Sequence, residues 1–507
     1  MFNKIRTAKV QLAGALMCLP ALAFGQEDAP LSAIDWLTQT PTVTVNINPE
    51  PPVTDAGDTP QIDVSELGQS GRDAVGLLPS HVTGLPSSIW QDSKALTLAN
   101  LIADIPEESL PAIQALMYTL LLAEANPPAD ANGNDALLLA RVDKLVALGA
   151  IEQANALLDR AAPDRADLFA RWFDVSLLIG EEQRACDVLS GAPHLAPSYA
   201  ARVFCQARDG AWETAVITLN TANFLKLISP TDDELLVRFL DPELFAEEPL
   251  LVTVSEPDPL QFRLFEAIGE PQPTRLLPRA YAHADLRENI GWKAQLEAAE
   301  RLAKVGALTE NRLFGLYLDR KPAASGTIWD RVAAVQRFQS ALTNGDGTKI
   351  AETLPMAWSA MKAAHLEVPF ARYYGDMLKT LPKGSVAGTL AREIRLLSES
   401  YELAARDGTR DFLAGLAQGQ PPKRSADPTR QAIADAFHRA GVPQVWTNRL
   451  ARGQLGEVIL LAIKSFQQGA AGDLRALTNA LATFRAVGLE DTARQAALQV
   501  LLLERGF

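Results

Sequence analysis

An all-α fold is what the 507-residue sequence predicts: an α-solenoid of antiparallel helical hairpins, preceded by a signal peptide and a disordered N-terminal tail. Three observations carry that expectation. Beyond residue 90, apolar residues recur at i, i+3, i+4 and i+7, as in "ALTLANLIADI", "LPAIQALMYTLLLAEA" and "ALLLARVDKLVALGA", whereas β-branched runs bounded by turns are scarce. One helix-length pattern returns at a nearly constant spacing. The first 25 residues have a layout of their own.

Those residues read "MFNKIRTAKVQLAGALMCLPALAFG", with Lys4, Arg6 and Lys9 ahead of an apolar run from Val10 to Phe24 that ends among small residues. This is the three-part layout of a secretory signal peptide. Cleavage is expected after Gly25, with Ala23 as the alternative. The apolar run falls short of the roughly 20 residues a membrane-spanning helix needs, so no membrane span is expected. Met17 before Cys18 and the apolar Leu19 to Phe24 after it argue against a lipidated cysteine. The mature protein is therefore expected to be periplasmic or secreted.

Removing residues 1–25 takes away three of the 47 basic residues and none of the 61 acidic ones, which moves the formal net charge from −14 to −17. Such a chain repels nucleic acid and anionic lipid at long range, and neither is expected as a partner. A hydrophobic content of 48% suffices for a real core. The length exceeds one compact domain and suits two domains or an extended array of repeats.

From residue 26 to about 88 the chain is rich in Pro, Thr, Asp and Gly, and the clustered prolines forbid helix, so a disordered tail is expected. Within it "TVTVNI", Thr42 to Ile47, alternates like a short strand. N-terminal helical repeats are expected over 89–228. There "GAIEQANALLDRA" starts at Gly149, "GEEQRACDVLSGA" at Gly180 and "GAWETAVITLNTA" at Gly210, spaced 31 and 30 residues apart. Each glycine is followed by Ala at +5, Leu at +9 and Ala at +12: Ala154, Leu158 and Ala161; Ala185, Leu189 and Ala192; Ala215, Leu219 and Ala222. The glycines belong in turns where positive φ is needed. The alanines let two helices cross closely, and the leucines extend the same face by a turn. One hairpin cannot bury such a stripe, but stacked copies form a continuous core.

The pattern resembles the second helix of tetratricopeptide repeats, where a turn glycine is followed by the same Ala, bulky residue, Ala series. The resemblance covers 138–222, with Pro163 and Pro193 near the closing proline of that repeat. It implies stacked helical hairpins presenting a concave surface to partner proteins. The spacing of 30 to 31 rather than 34, and Val142, Phe173 and Val203 where that repeat has a small residue, depart from it, so a related or degenerate α-solenoid fits as well.

Between residues 229 and 275 seven prolines cut the chain into short helices such as "DDELLVRFL" and "LQFRLFEAI", and "DPELFAEEP" adds acid, so a Pro-rich acidic connector is expected. Helical repeats are expected again over 276–507, from "WKAQLEAAERLAKVGAL" through "GTIWDRVAAVQRFQSAL" and "GTLAREIRLLSESYELAARDG". The string "PPKRSADPT" at 421–429 reads as an exposed loop. "GEVILLAIKSF" from Gly456 and "GLEDTARQAALQV" from Gly488, 32 residues apart, suggest terminal hairpins.

Candidate chemistry is sparse. Cys186 and Cys205 are the cysteines left after processing. They fall on helices flanking the turn "SGAPHLAPS", at similar heights above it, and an exported protein meets oxidising conditions, so a disulfide is expected. His81, His194, His283, His365 and His438 are scattered without metal-ligand spacing, the nearest approach being "HAD" at His283 to Asp285. Neither a metal nor a cofactor is expected, and no glycine-rich phosphate loop opens a helix. "SAMK", Ser359 to Lys362, fits S-x-x-K of penicillin-interacting serine enzymes but lacks that family's companion motifs. Trp212 aligns with Ile151 two repeats earlier and reads as packing. Trp172, Trp292, Trp329 and Trp446 could line a groove but read first as core.

"SES", Ser398 to Ser400, contains the Glu-Ser pair that soluble lytic transglycosylases place after a horseshoe of helices, with Glu399 as the would-be general acid. Here it sits in what reads as a continuous amphipathic helix, with no glycine-rich substrate segment after it. No catalytic residue is assigned. The function expected is a non-catalytic scaffold holding one or more envelope proteins. The alternatives are a murein-lytic enzyme and an adaptor or chaperone for an export or motility machine.

Overall fold

Ser198, Ser229, Asp258 and Asp427 each accept a hydrogen bond from a backbone N–H of the helix that follows, and these caps set where the long helical runs of this chain are cut. The computed structural model describes residues 71–503 apart from 132, 383, 408 and 409. Regular structure among the described residues is helical throughout, and an isolated bridge pairs Leu78 with Ala123. The signal peptide read at 1–25, and the tail as far as residue 70 with Thr42 to Ile47, lie outside the described residues.

The body begins earlier than the helical pattern does. Residues 71–88, assigned to the tail on sequence grounds, hold a 3-10 turn at Arg72–Ala74 and a short helix α1 (Ser80–Thr83), and Leu85 is buried. The reason lies on α4 (Ala136–Ala147), whose Arg141 is fully buried. Its guanidinium donates to the carbonyls of Asp73 at 3.3 Å, Val75 at 2.7 Å, Leu121 at 2.7 Å and Ala123 at 2.9 Å. The Asp73 carboxylate in turn accepts the Leu138 N–H at 2.8 Å. A segment without helical period is thus held by a charge that satisfies its carbonyls away from water.

Helices α2 (Ala95–Asp104) and α3 (Pro111–Leu122) precede α4. Then come α5 (Ile151–Ala161), α6 (Ala166–Ile179), α7 (Glu182–Gly191), α8 (Tyr199–Arg208) and α9 (Trp212–Phe224), each packed on its predecessor from α4 onward in the manner of a helical-repeat, solenoid-like array. In the stretch read as a connector, the two short helices expected form: α10 (Pro230–Leu240) packs on α8 and α9, and α11 (Pro259–Ala267) on α6 and α10. The 3-10 segment Arg279–Leu286 wedges against α4, α6 and α12 (Trp292–Ala303).

The second half continues with α13 (Glu310–Asp319), α14 (Thr327–Thr343), α15 (Gly347–Ala363), α16 (Glu367–Tyr374), α17 (Val386–Arg395), α18 (Tyr401–Arg406), α19 (Phe412–Ala417), α20 (Pro428–His438), α21 (Gln444–Leu450), α22 (Leu455–Ala470), α23 (Leu474–Ala486) and α24 (Glu490–Leu502). Phe314, Phe338, Phe370 and Tyr374 interlock in its core with ring centroids 4.8 to 6.1 Å apart. The string at 421–429 is a loop up to Asp427, which caps α20.

The array returns to its own beginning. α2 packs on α22 and α3 on α24. Gln499 of α24, buried, accepts the Ala112 N–H at the start of α3 at 2.8 Å, filling the role of a cap from 387 residues away. The Gly456 N–H donates to Ile89 O at 3.0 Å, beneath the buried indole of Trp90. Gly456 therefore lies inside α22 and is not a turn glycine, contrary to its alignment with Gly488. Gly453, with φ 77°, takes the turn, whereas Gly488, with φ 88°, does precede α24.

Candidate binding surface and central cavity

Gly149, Gly180 and Gly210 all adopt left-handed φ, 79°, 85° and 80°, immediately before the second helix of each pair. Gly149 also admits a neighbour: a Cβ there would stand 2.8 Å from Leu302 and 2.9 Å from Arg279. Its carbonyl accepts the Nε2–H of buried His283 at 2.6 Å, which fixes the neutral Nε2–H tautomer, and burial depresses the His283 pKa. Ala154, Leu158, Ala161, Ala185, Leu189, Ala215, Leu219 and Ala222 are buried, and Ala192 is half-buried where α7 ends. Cys186 of α7 and Cys205 of α8 form a disulfide with Cα atoms 4.9 Å apart.

α9 differs from its sisters on the outer side. Its buried set, Ala215, Leu219 and Ala222, occupies one narrow stripe. The solvent position seven residues after the turn glycine holds Ala156 in α5 and Asp187 in α7, but Ile217 in α9, which is 66% exposed. Fourteen residues after it, where the sisters have Pro163 and His194, stands Phe224, 86% exposed. Trp212 is 45% exposed although Ile151 at the matching position is buried, because no further repeat covers α9; its indole leans on Phe239 of α10 with centroids 6.1 Å apart. Val216, Leu225 and Leu227 are exposed as well. α8 and α10 cover one side of α9, and its exposed side interleaves these apolar residues with Glu213, Thr214, Asn220 and Thr221.

A solvent-open cavity of about 1260 Å³ lies in the body. Four stretches remote in sequence wall it: the α2–α3 loop with Asp104, Glu108 and Ser109; Arg279 with the end of α12, Arg301 and Lys304; the α15–α16 junction with Lys362, His365 and Glu367; and the end of α22 with Lys464, Gln467 and Gln468. Arg301 donates to the carbonyls of Thr274, at 2.9 Å, and Leu277. Its pKa is lowered, first by burial and then by the neighbouring Arg279.

Glu399 lies outside this cavity. The continuous helix expected around it is broken: α17 ends at Arg395 and α18 starts at Tyr401. Ser398 Oγ donates to Arg395 O at 2.7 Å and Ser400 Oγ to Asp376 at 2.8 Å, side-chain bonds that compete with the helical ladder. Glu399 is 79% exposed and sits 3.5 Å from Arg372. Ser359 is exposed on α15, three residues before Lys362. His283 binds the Gly149 carbonyl while Asp285 binds Thr274, so the "HAD" string converges on nothing. Trp172 and Trp292 are buried, and Trp329 and Trp446 are half-buried. Among the described residues, no group of three His, Cys, Asp or Glu is placed to share a metal ion, and no helix is long and apolar enough to cross a membrane.

Comparison with family models, curated proteins and solved structures finds no match for the chain. Sequence periodicity located α9 but read Trp212 as packing; the signal that distinguishes the helix is Ile217 where its sisters carry Ala156 and Asp187.

Proposed function

We propose that this protein is an exported, non-catalytic helical-repeat scaffold that holds a partner protein of the cell envelope against the outer face of α9. The observation that carries the reading is that face: Trp212, Val216, Ile217 and Phe224 stand in solvent on a helix whose Ala-Leu-Ala stripe is already seated. Exposed aromatic and aliphatic anchors on a rigid element suit protein docking, because little conformational entropy is lost when a partner covers them. Export is supported by the basic-then-apolar N-terminal sequence and by a disulfide, a bond that persists in oxidising compartments.

The test is a photo-crosslinking amino acid placed at 217 or 224, and at the exposed polar position 187 as control, in intact cells. The reading expects one discrete heterologous adduct at both α9 positions and none at 187. Adducts of equal yield at all three positions, or none at 217 and 224, would overturn it. Cell fractionation with sequencing of the mature N-terminus tests export separately.

A further inference from the structure

Between α10 and α11, residues 249–254 read "PLLVTV" and form neither helix, turn nor bend, so the backbone runs straight there. Two clamps fix this run to the body: the Arg238 guanidinium donates to Pro249 O at 3.0 Å, and the Leu251 N–H donates to the Glu270 carboxylate at 2.8 Å. Arg238 and Glu270 also pair with each other at 3.5 Å, their side chains only 11% and 13% exposed. Leu251 and Val254 pack against the core.

In a straight run, alternate residues turn their backbone N–H and C=O groups to the same edge. The clamps take up the edge of residues 249 and 251. The N–H and C=O groups of Leu250 and Val252 face the other edge and have no partner among the described residues. The side chains of these two β-prone residues stand clear of the body, 79% and 90% exposed. An uncovered edge of this kind is a template for another strand, and because the clamps hold it in place beforehand, little entropy is lost on pairing.

Charge decides what that strand is. From residue 239 to 262 the chain carries six carboxylates, Asp241, Glu243, Glu247, Glu248, Glu256 and Asp258, and no lysine or arginine. All six are exposed, and none forms an ion pair among the described residues. A second copy laid along this edge would set acid against acid, which is unfavourable, whereas a strand with basic residues beside its apolar core meets complementary charge at both ends.

We propose that residues 249–254 are a strand-addition site for an extended segment of a partner protein, apolar at alternate positions and flanked by lysine or arginine. The backbone edge supplies the pairing, and the carboxylates select the charge of the partner. The site is separate from α9, and either can fail while the other stands.

Fluorescence anisotropy of the full chain tests this, with a labelled synthetic peptide of alternating valine and threonine between paired lysines as the probe. At low ionic strength this peptide is expected to bind with 1:1 stoichiometry, and the same core between paired glutamates at least tenfold more weakly. A lysine-flanked peptide N-methylated throughout its core keeps the charge but loses the donors, and is also expected to bind at least tenfold more weakly. Val252→Pro, which removes an outward N–H, should weaken binding at least tenfold, and Val252→Thr, which keeps it, less than threefold. Glu247→Gln with Glu248→Gln is expected to weaken binding and flatten its salt dependence. The control pair Glu352→Gln and Glu393→Gln, exposed elsewhere, is expected to change it less than twofold, as is Phe224→Ser on α9. Thermal melts establish that every variant is folded. No binding at millimolar peptide, equal binding of the N-methylated peptide, or an equal loss in the control pair overturns the proposal. So does a dimer of the chain, seen by analytical ultracentrifugation, that Val252→Pro dissociates, because the occupant would then be a second copy.

Discussion

The indole of Trp90 occupies the place where a side chain on residue 456 would stand: a Cβ on Gly456 would lie 2.4 Å from Cε3 and Cζ3 of that ring and 2.8 Å from Ile89 O. This is a closely packed point of the seam between the first and last parts of the body. Gly456→Ala is therefore expected to destabilise the protein by about 1–3 kcal/mol, the usual range for overpacking a closed core. Limited proteolysis should show earlier cleavage on the chain around residues 89–94. A melting temperature and digestion pattern unchanged from the parent would show that the seam yields freely.

Glu300 of α12 receives the Arg331 guanidinium through two bonds, at 2.8 and 2.6 Å, and the Tyr317 hydroxyl, tying α12, α13 and α14 together. Burial and the adjacent carboxylate drive the Tyr317 pKa far up, so the hydroxyl stays protonated as donor. Glu300→Ala leaves Arg331 and Tyr317 unmatched and is expected to lower stability by about 3 kcal/mol in urea denaturation. A loss under 1 kcal/mol would mean that water replaces the carboxylate adequately.

The Cys186–Cys205 bridge closes a loop with a sequence separation of 19. Chain-entropy arguments give about 3 kcal/mol for a loop of that length. Cys186→Ser with Cys205→Ser should lose about that much, and the unreduced, unfolded mature protein should show no reactive thiol. Two titratable thiols would refute the bridge.

Asp174 supplies a pH prediction. Burial, with Asp258 nearby, raises its pKa to about 7. A carboxyl whose folded pKa lies above the unfolded value binds its proton more tightly when folded, so its contribution to stability falls as pH climbs from about 4 to about 7. Asp174→Asn should therefore be more stable than the parent at pH 8, by about 1–3 kcal/mol, and show no such gain at pH 4. A difference independent of pH would contradict the assignment.

The repeat period was legible because it is a local property: the Ala154, Leu158, Ala161 series needs only the neighbouring helix to make sense of it. Cys186 and Cys205 were legible for the same reason, being one turn apart in the fold. What escaped depends on partners far along the chain. Arg141 looks like a solvated cation on an amphipathic helix until the segment around Asp73 and the end of α3 supply two carbonyls each. Gln499 is an ordinary polar residue until it caps α3, and Gly456 resembles a turn glycine until Trp90 arrives over it. The cavity escaped altogether, since its walls come from four stretches that share no motif. Ser398 misled in the other direction, because apolar periodicity on either side hid the side-chain bond that stops α17.

Since Gln499 and Gly456 bind the opening elements of the body, the number of helices between them is no longer a free variable. An open stack can gain or lose a pair in evolution and merely change length; here a duplication would pull Trp90 off its glycine and leave the first turn of α3 bare. Diversification in relatives should therefore concentrate in loops and outward-facing side chains, with the tally of helices held constant.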